Sequence, residues 1–369
     1  MAIVVKALVE EPIAKSVSAV AGRFAWMFRR PQPFPSTTFP SLTMATPKPG
    51  TPQLFIADST NWSKPSSADA AAVDGSAAGR TLGRIDFGSE TAAHYRRNIL
   101  APFFAHYLKG KGRAPASEAL TFRTGANEWV AHDRWPPTGN VSPRRLYFHE
   151  GRKLSFAAPA ASAKTTFDSY ISDPATPVPY RPRPIRLREG WGTWLVEDQR
   201  FVHRRPDVLD YTTEPLTEDV IVSGQISAHL FAATSGTDSD WIVKLIDVYP
   251  DKYDADETMG GYQLMIAGDV VRARYHKSVE RPAPLVPDAV VKYEVPFPAN
   301  DHVFRAGHRI MVQVQSTWFP VIDRNPQRFV PNIFAASDAD FRRATQRIYR
   351  SAGRASHIAL PVVTRSRAN

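Results

Sequence analysis

The stretch "SGTDSDWIVKLIDVYPD" (residues 235–251) decides how the rest of the chain is read. It sets Asp238, Asp240, Asp247 and Asp251 around an apolar run that carries a single lysine, Lys244. Three readings compete: ligands for a metal, the acid of a catalytic triad, or the polar ends of a strand. Trp241, Val243 and Leu245 alternate with Ile242, Lys244 and Ile246, which is the period of a β-strand. On that reading one face carries the lysine, Asp238 and Asp240 stand at the strand's entrance, and Asp247 and Asp251 stand at its exit.

The same period runs through much of the chain from about residue 118. In "DVIVSGQISAHLFAAT" (219–234), Val222, Ile226, Ala228 and Leu230 share one face, and Ser223, Gln225, Ser227 and His229 the other. In "GHRIMVQVQS" (307–316), Ile310, Val312 and Val314 oppose Arg309, Met311, Gln313 and Gln315. "ALTFRTG", "RRLYFHE" and "TTFDSYIS" are further short runs bounded by turn residues. Half-buried antiparallel strands with long, proline-rich loops predict a mainly β protein, a two-sheet sandwich or jelly roll. The 32 prolines in 369 residues agree with that, and 43% hydrophobic residues suffice for a core.

One helix interrupts the pattern upstream. Tyr95, Ile99 and Leu100, then Phe103, Phe104, Tyr107 and Leu108, recur at spacings of three and four. Ser89 is the expected N-cap, Glu90 complements the helix dipole, Pro102 is expected to kink or split the helix, and Gly110 to end it. Residues 31–73 show neither period, and the whole of 1–73 is expected to be disordered.

Chemistry is harder to find. No serine stands in a G-x-S-x-G elbow, no H-E-x-x-H pair occurs, and the aspartates lack the glycine and terminal glutamate of an EF-hand loop. No phosphate-cradling glycine motif is present, so no cofactor is expected. The absence of cysteine excludes disulfides, thiolate nucleophiles and Cys-ligated zinc. His308, where a turn glycine enters a strand, is tempting as a catalytic histidine and is read as structural. Trp129, Trp135, Trp191, Trp194, Trp241 and Trp318 are read as core or interface residues in preference to a sugar-binding face. The net charge of +10 comes from scattered basic residues with no nucleic-acid-binding motif, so no nucleic-acid partner is expected. No apolar stretch reaches the length of a membrane span, and charges at Lys6, Glu10, Glu11 and Lys15 break any signal-peptide core, making cytoplasmic the default expectation. With no histidine partner or nucleophile in view, the aspartates of 235–251 are expected to pair with basic neighbours, cap turns or face water.

Six segments, in order, carry a resemblance: "LGRIDFGSETAAHYRRNILAPFFAHYLKG", "FRTGANEWVAHDRWPP", "YISDPATPVPY", "DQRFVHRRPDVLDYTTEPLTEDV", "SGTDSDWIVKLIDVYPD" and "AGHRIMVQVQSTWFPVIDRNPQ". Together, from about Asp74 to about Val363, they resemble the CocE/NonD-type serine hydrolases, which include α-amino-acid ester hydrolases, glutaryl-acylases, cocaine esterase and X-Pro dipeptidyl peptidases. The resemblance implies an α/β-hydrolase core, a helical cap and a C-terminal galactose-binding-like jelly roll, with a Ser-His-Asp triad cleaving esters or amides without a cofactor. It implies that 74–117 is a remnant of the last core helix with its linker, that 118–364 is the jelly roll, and that 365–369 is a tail.

The departures from the family are as informative. Where relatives carry a G-P-W-x-H-type stretch with the catalytic histidine, this chain reads "KPSSADAAAV", and its first histidine is His94. Residues 1–73 resemble nothing in the family. A frameshift, an alternative start or a gene remnant would each produce such a chain. No residue is carried over as catalytic, and the chain alone is expected to be inactive, because a triad acts as a unit. The expected partner is an α/β-hydrolase core supplied elsewhere, or a second copy of the chain. Toward such a core the candidate interface is Phe103, Phe104, Tyr107 and Leu108 on the helix, with Trp318 and Phe319 as apolar contacts and Asp323, Arg324 and Asn325 as polar anchors. The bland reading of that second group is a plain strand connection. The alternative function is a free-standing jelly-roll module that binds carbohydrate or protein.

Overall fold

In the computed structural model the described residues are 4–6, 78–161, 166–184 and 191–364. The expected disorder of 1–73 falls outside them except at residues 4–6, and the tail 365–369 falls outside them entirely.

The protein is mainly β. Its first strands are β1 (Val4–Lys6), β2 (Thr81–Leu82), β3 (Ile85–Asp86), β4 (Ala119–Arg123), β5 (Glu128–His132), β6 (Val141–His149) and β7 (Lys153–Ser155). Next come β8 (Phe167–Ser172), β9 (Leu209–Thr212), β10 (Val220–Gly224), β11 (Ser227–Thr234), β12 (Asp240–Val248) and β13 (Gln263–Arg272). The last are β14 (Val291–Pro296), β15 (Asn300–Phe304), β16 (Arg309–Gln315), β17 (Ala344–Ser351), β18 (Arg354–Ala355) and β19 (His357–Val363). One hydrogen-bonded network of 14 strands runs β13-β12-β16-β9-β7-β6-β19-β11-β17-β18, with β14 on β11, β8 on β17, and β10 joining β19 to β15. Strands distant in this order share one core: Trp241 on β12 packs against Tyr293 on β14, with ring centroids 5.7 Å apart. The sheet therefore folds over on itself into two layers, an arrangement consistent with a jelly roll.

Inward-facing positions follow the sequence pattern, with Val222, Ile226, Ala228, Leu230, Ile310, Val312 and Val314 all fully buried. The outward positions of the central strands depart from it. Met311, Gln313 and Gln315 of β16 and Lys244 of β12 are buried as well. The reason is a cover: the 3₁₀ turns Trp191–Val196 and Gln199–Phe201 and the loop after β16 lie over this face, where Trp194 and Trp318 pack on Ile242. Alternation predicts half-buried strands; β12 is instead buried along its whole length.

A smaller sheet, β1-β4-β5, stands apart from the large one. The helical segment beside it begins at Thr91 with Glu90 as N-cap and no side-chain cap, in place of the expected Ser89. Helix Thr91–His94 passes through a π-helical stretch, Tyr95–Leu100, into helix Ala101–Lys109, so the helix is split just before Pro102. Pro102 has no N–H to offer the carbonyl four residues back, and the wider π turn absorbs that loss. Gly110 ends the helix at φ 61°. Tyr95, Ile99 and Leu100 pack on Trp129 of β5. Among the described residues no helix is long and apolar enough to cross a membrane.

The β4–β5 hairpin meets the large sheet at one tight point. Thr124 exchanges main-chain hydrogen bonds with Asp301 and Val303, and Gly125 follows at φ 80°. A Cβ on Gly125 would stand 2.2 Å from the Val303 carbonyl oxygen. Gly125→Ala is therefore expected to cost on the order of 2–3 kcal/mol, through the left-handed φ and the backbone clash together. A urea titration followed by circular dichroism measures it.

Candidate functional site

Each aspartate of the 238–247 stretch has a specific internal partner. Asp238 is fully buried and accepts a 2.7 Å bond from Arg274 Nε. Asp240 accepts bonds from Arg272 Nε and Nη2, each at 3.1 Å, and from Asn325 Nδ2 at 2.8 Å. Burial, opposed by Arg272 and Asn325, leaves the Asp240 carboxyl raised to about 6. These two bear out pairing with basic neighbours and exclude facing water. Asp247 corrects the expectation that no histidine is at hand: it lies 2.8 Å from His308 Nδ1 and 3.3 Å from His302 Nε2. Burial pushes its carboxyl up, but the two imidazoles outweigh that and hold it below its ordinary value. His308 is thus a buried partner of Asp247, ringed by Tyr249 and Tyr253.

The chain continues through His302, whose Nδ1 lies 2.8 Å from the Thr124 hydroxyl. Hydroxyl, imidazole and carboxylate in this order have the connectivity of a hydrolytic triad. The surroundings do not. Thr124, His302 and Asp247 are 7%, 1% and 2% exposed, so no acyl group reaches the hydroxyl. Burial also drives the His302 imidazole below its ordinary value, against the pull of Asp247. Next to it, Asp301 accepts bonds from Thr121 Oγ1 (2.6 Å) and Arg123 Nε (2.7 Å) and faces His132 Nε2 at 3.3 Å. The two networks together fasten the β4–β5 hairpin to β15 and β12.

A second hydroxyl–imidazole pair lies nearer the surface. Ser227 Oγ is 3.0 Å from His229 Nε2, both half-buried on β11. Glu294 is His229's cross-strand neighbour on β14, and His357 stacks on the ring at 4.8 Å. Ser227 sits between β14 and β19, paired with Pro296 and Ala359, so its surrounding amides belong to sheet ladders. The N–H groups of its own strand are thus committed to pairing and not grouped as the donors of an oxyanion hole.

Lys244 is the residue that sequence reasoning places correctly on a face but not in its environment. Its ammonium is fully buried, bonds to Gln199 Oε1 at 3.0 Å and lies 4.9 Å from the Trp318 ring centre. In register beside it are Gln313 on β16 and, beyond that, Asp210 on β9. Burial, opposed by Asp210, lowers its pKa to about 7. Among the described residues no group of His, Asp and Glu is arranged to hold a metal.

The candidate interface residues fall in two separate places. Phe103 is buried at the helix end, its ring 5.5 Å from Phe104 and 4.7 Å from Tyr107. Phe104 and Leu108 are 41% and 49% exposed. In the other group, Trp318 is buried with Trp194 over Ile242, and Asn325 is buried against Asp240. Asp323 pairs with Arg272, and Arg324 bonds the Pro174 carbonyl and lies over the Phe341 ring, while Phe319 is half-buried. The polar members of this loop are thus bonded within the chain. Of the tryptophans considered for a sugar platform, Trp135, Trp194, Trp241 and Trp318 are buried and Trp129 is half-buried against His94.

The domain is a β-sandwich with an attached helix and hairpin, and the acids of β12 and their histidine partners are sealed inside it. Residues 113–359 match the family described as the X-Pro dipeptidyl-peptidase C-terminal non-catalytic domain, and the chain belongs to that family. Cocaine esterase of Rhodococcus sp. (strain MB1 Bresler) is 33% identical over 271 residues, covering 71% of this chain and 45% of that protein. The crystal structure of an aminopeptidase from a marine sediment archaeon, Thaumarchaeota archaeon, superposes with a TM-score of 0.74 at 47% identity, covering 77% of this chain and 47% of that one. An α-amino acid ester hydrolase superposes with a TM-score of 0.73 at 45% identity, with the same coverage. The chain thus spans about half the length of these relatives.

Lys244 carries a pH signature. Its folded pKa of about 7 lies below the ordinary 10.5, so between these values the unfolded chain binds a proton the folded one does not. Stability relative to Lys244→Met should therefore rise as pH climbs from about 7 toward 10.5, by roughly 4–5 kcal/mol in total. Denaturant midpoints of both proteins across this range measure the difference.

Proposed function

We propose that this chain is the β-domain portion of an acyl ester or amide serine hydrolase, and that it does not hydrolyse such substrates by itself. The observation that carries the reading is the sealing of the Thr124–His302–Asp247 chain, whose members are 7%, 1% and 2% exposed. Family membership supports the assignment to hydrolases, and the ladder-bound amides around Ser227 argue against the one more accessible pair. On this reading the purified chain releases p-nitrophenol from p-nitrophenyl butyrate no faster than its Ser227→Ala variant, and a fluorophosphonate leaves it unlabelled. Rapid turnover abolished by the phosphonate would overturn the assignment.

The same reading gives the helix end a purpose. Phe104 and Leu108 form an exposed apolar pair at the end of a segment whose other side is already packed on β5. We assign this pair, with Phe103 and Tyr107 behind it, as the contact toward an α/β-hydrolase core of the same family, with Phe319 as a secondary apolar contact. A Phe104→Ser/Leu108→Ser double variant should keep the thermal stability of the parent within a few degrees and lose at least tenfold in affinity for the catalytic half of an α-amino acid ester hydrolase. Sedimentation of the mixture reads the affinity; unchanged binding would remove the helix from the interface.

A further inference from the structure

We propose that the open edge of β8 takes up an extended, uncharged peptide segment by strand addition. Among the described strands, β8 pairs with β17 alone. The ladder fixes which of its main-chain groups remain free. Arg350 N–H bonds the Thr166 carbonyl, so Thr166–Arg350 is a hydrogen-bonded pair, and so are the pairs at Asp168, Tyr170 and Ser172. The N–H and C=O groups of Phe167, Ser169 and Ile171 therefore point away from β17. A groove of about 580 Å³ lies at the C-terminal end of β8, lined by Ser169 and Ile171, by Arg343 and Thr345 at the start of β17, and by the turn Arg205–Asp207 that leads into β9.

The chemistry of the groove selects its occupant. Its charged side chains neutralise one another: Arg205 holds Asp207 through two 2.8 Å bonds, and Arg343 pairs with Asp173 at 3.3 Å. Among the described residues, what remains unpaired is main chain at strand spacing, which another peptide main chain matches with its own alternating donors and acceptors. Phe167 and Ile171 are 38% and 52% exposed on the outer face, where they can flank apolar or β-branched side chains at every second position of the added strand. From Phe167 to Ile171 is four steps of about 3.3 Å, room for roughly five residues. β8, "FDSYIS", has no proline or lysine and shows no bulge in its pairing, and its one charge, Asp168, is engaged by Arg350 on the side away from the free main-chain groups. The Arg205–Asp207 turn on the groove leaves space for a lone chain more readily than for the edge of a second sandwich.

The test uses the full chain and a fluorescein-labelled Thr-Val-Thr-Val-Thr amide, followed by anisotropy. Saturable binding is expected, and a fully N-methylated peptide of the same sequence should not bind. Ile171→Pro removes an outward N–H without touching the β17 ladder, and should weaken binding at least about tenfold while leaving the circular dichroism spectrum unchanged. Ser169→Pro should act alike. Failure of the unmethylated peptide to bind, undiminished binding by both proline variants, or equal binding of the methylated peptide would each overturn the proposal. So would a dimer of the peptide-free chain that disappears in Ile171→Pro, which would assign the edge to a second copy instead.

Discussion

β12 meets water on neither face, and most of the domain's polar architecture follows from that burial. Such a strand must satisfy every polar group from within the protein, or bear a desolvation cost of several kcal/mol. Asp238, Asp240, Lys244 and Asp247 all lie on or beside this strand, and their partners come from five other places: Arg274 and Arg272 at the end of β13, Asn325 in the loop after β16, Gln199 in the cover, and His302 and His308 around β15 and β16. These contacts determine where the cover lies, how the β16 loop returns and how the hairpin is attached. The acid-rich stretch is a hub that organises the sandwich.

That role accounts for the chemistry the domain lacks. Side chains that would be catalytic in a cleft are here immobilised by neighbours and cut off from solvent. Thr124, His302 and Asp247 have the connectivity of a triad and the environment of a structural network. The difference lies in access, which burial removes whatever residues make up the chain of bonds. In this domain, whose family is described as non-catalytic, buried ion pairs and imidazole–carboxylate bonds tie the strands to one another.

Much of the fold is legible in the residues alone. Alternation identifies the inner faces of β11 and β16 residue by residue, and the helix, its break near Pro102 and its end at Gly110 follow from spacing and from proline and glycine. The expected cap is one residue early, since Ser89 and Glu90 both precede Thr91 and only geometry separates them. The outer faces are misread, because Gln313, Gln315 and Lys244 are polar and alternation assigns polar positions to water. The cover that buries them is formed by segments far away in the chain, and no local pattern reports it. A hint does exist: "NDHVF" (300–304) runs Asn300, Asp301 and His302 straight into Val303 and Phe304 with no polar–apolar alternation, which suggests polar groups with internal partners.

Residue order alone accounts for the strand periods, the helix with its apolar end, the absence of thiol and metal motifs, and the ordered segments that place the chain in its family. These depend on neighbours within a few residues, or on the identity and order of residues, which the chain carries intact. Packing in three dimensions settles that Asp247 meets two histidines, that Lys244 is sealed beneath Trp318, and that β8 is left with an open edge. Each depends on which distant segments come to lie against one another, and such a pairing is fixed by the packing of the whole domain.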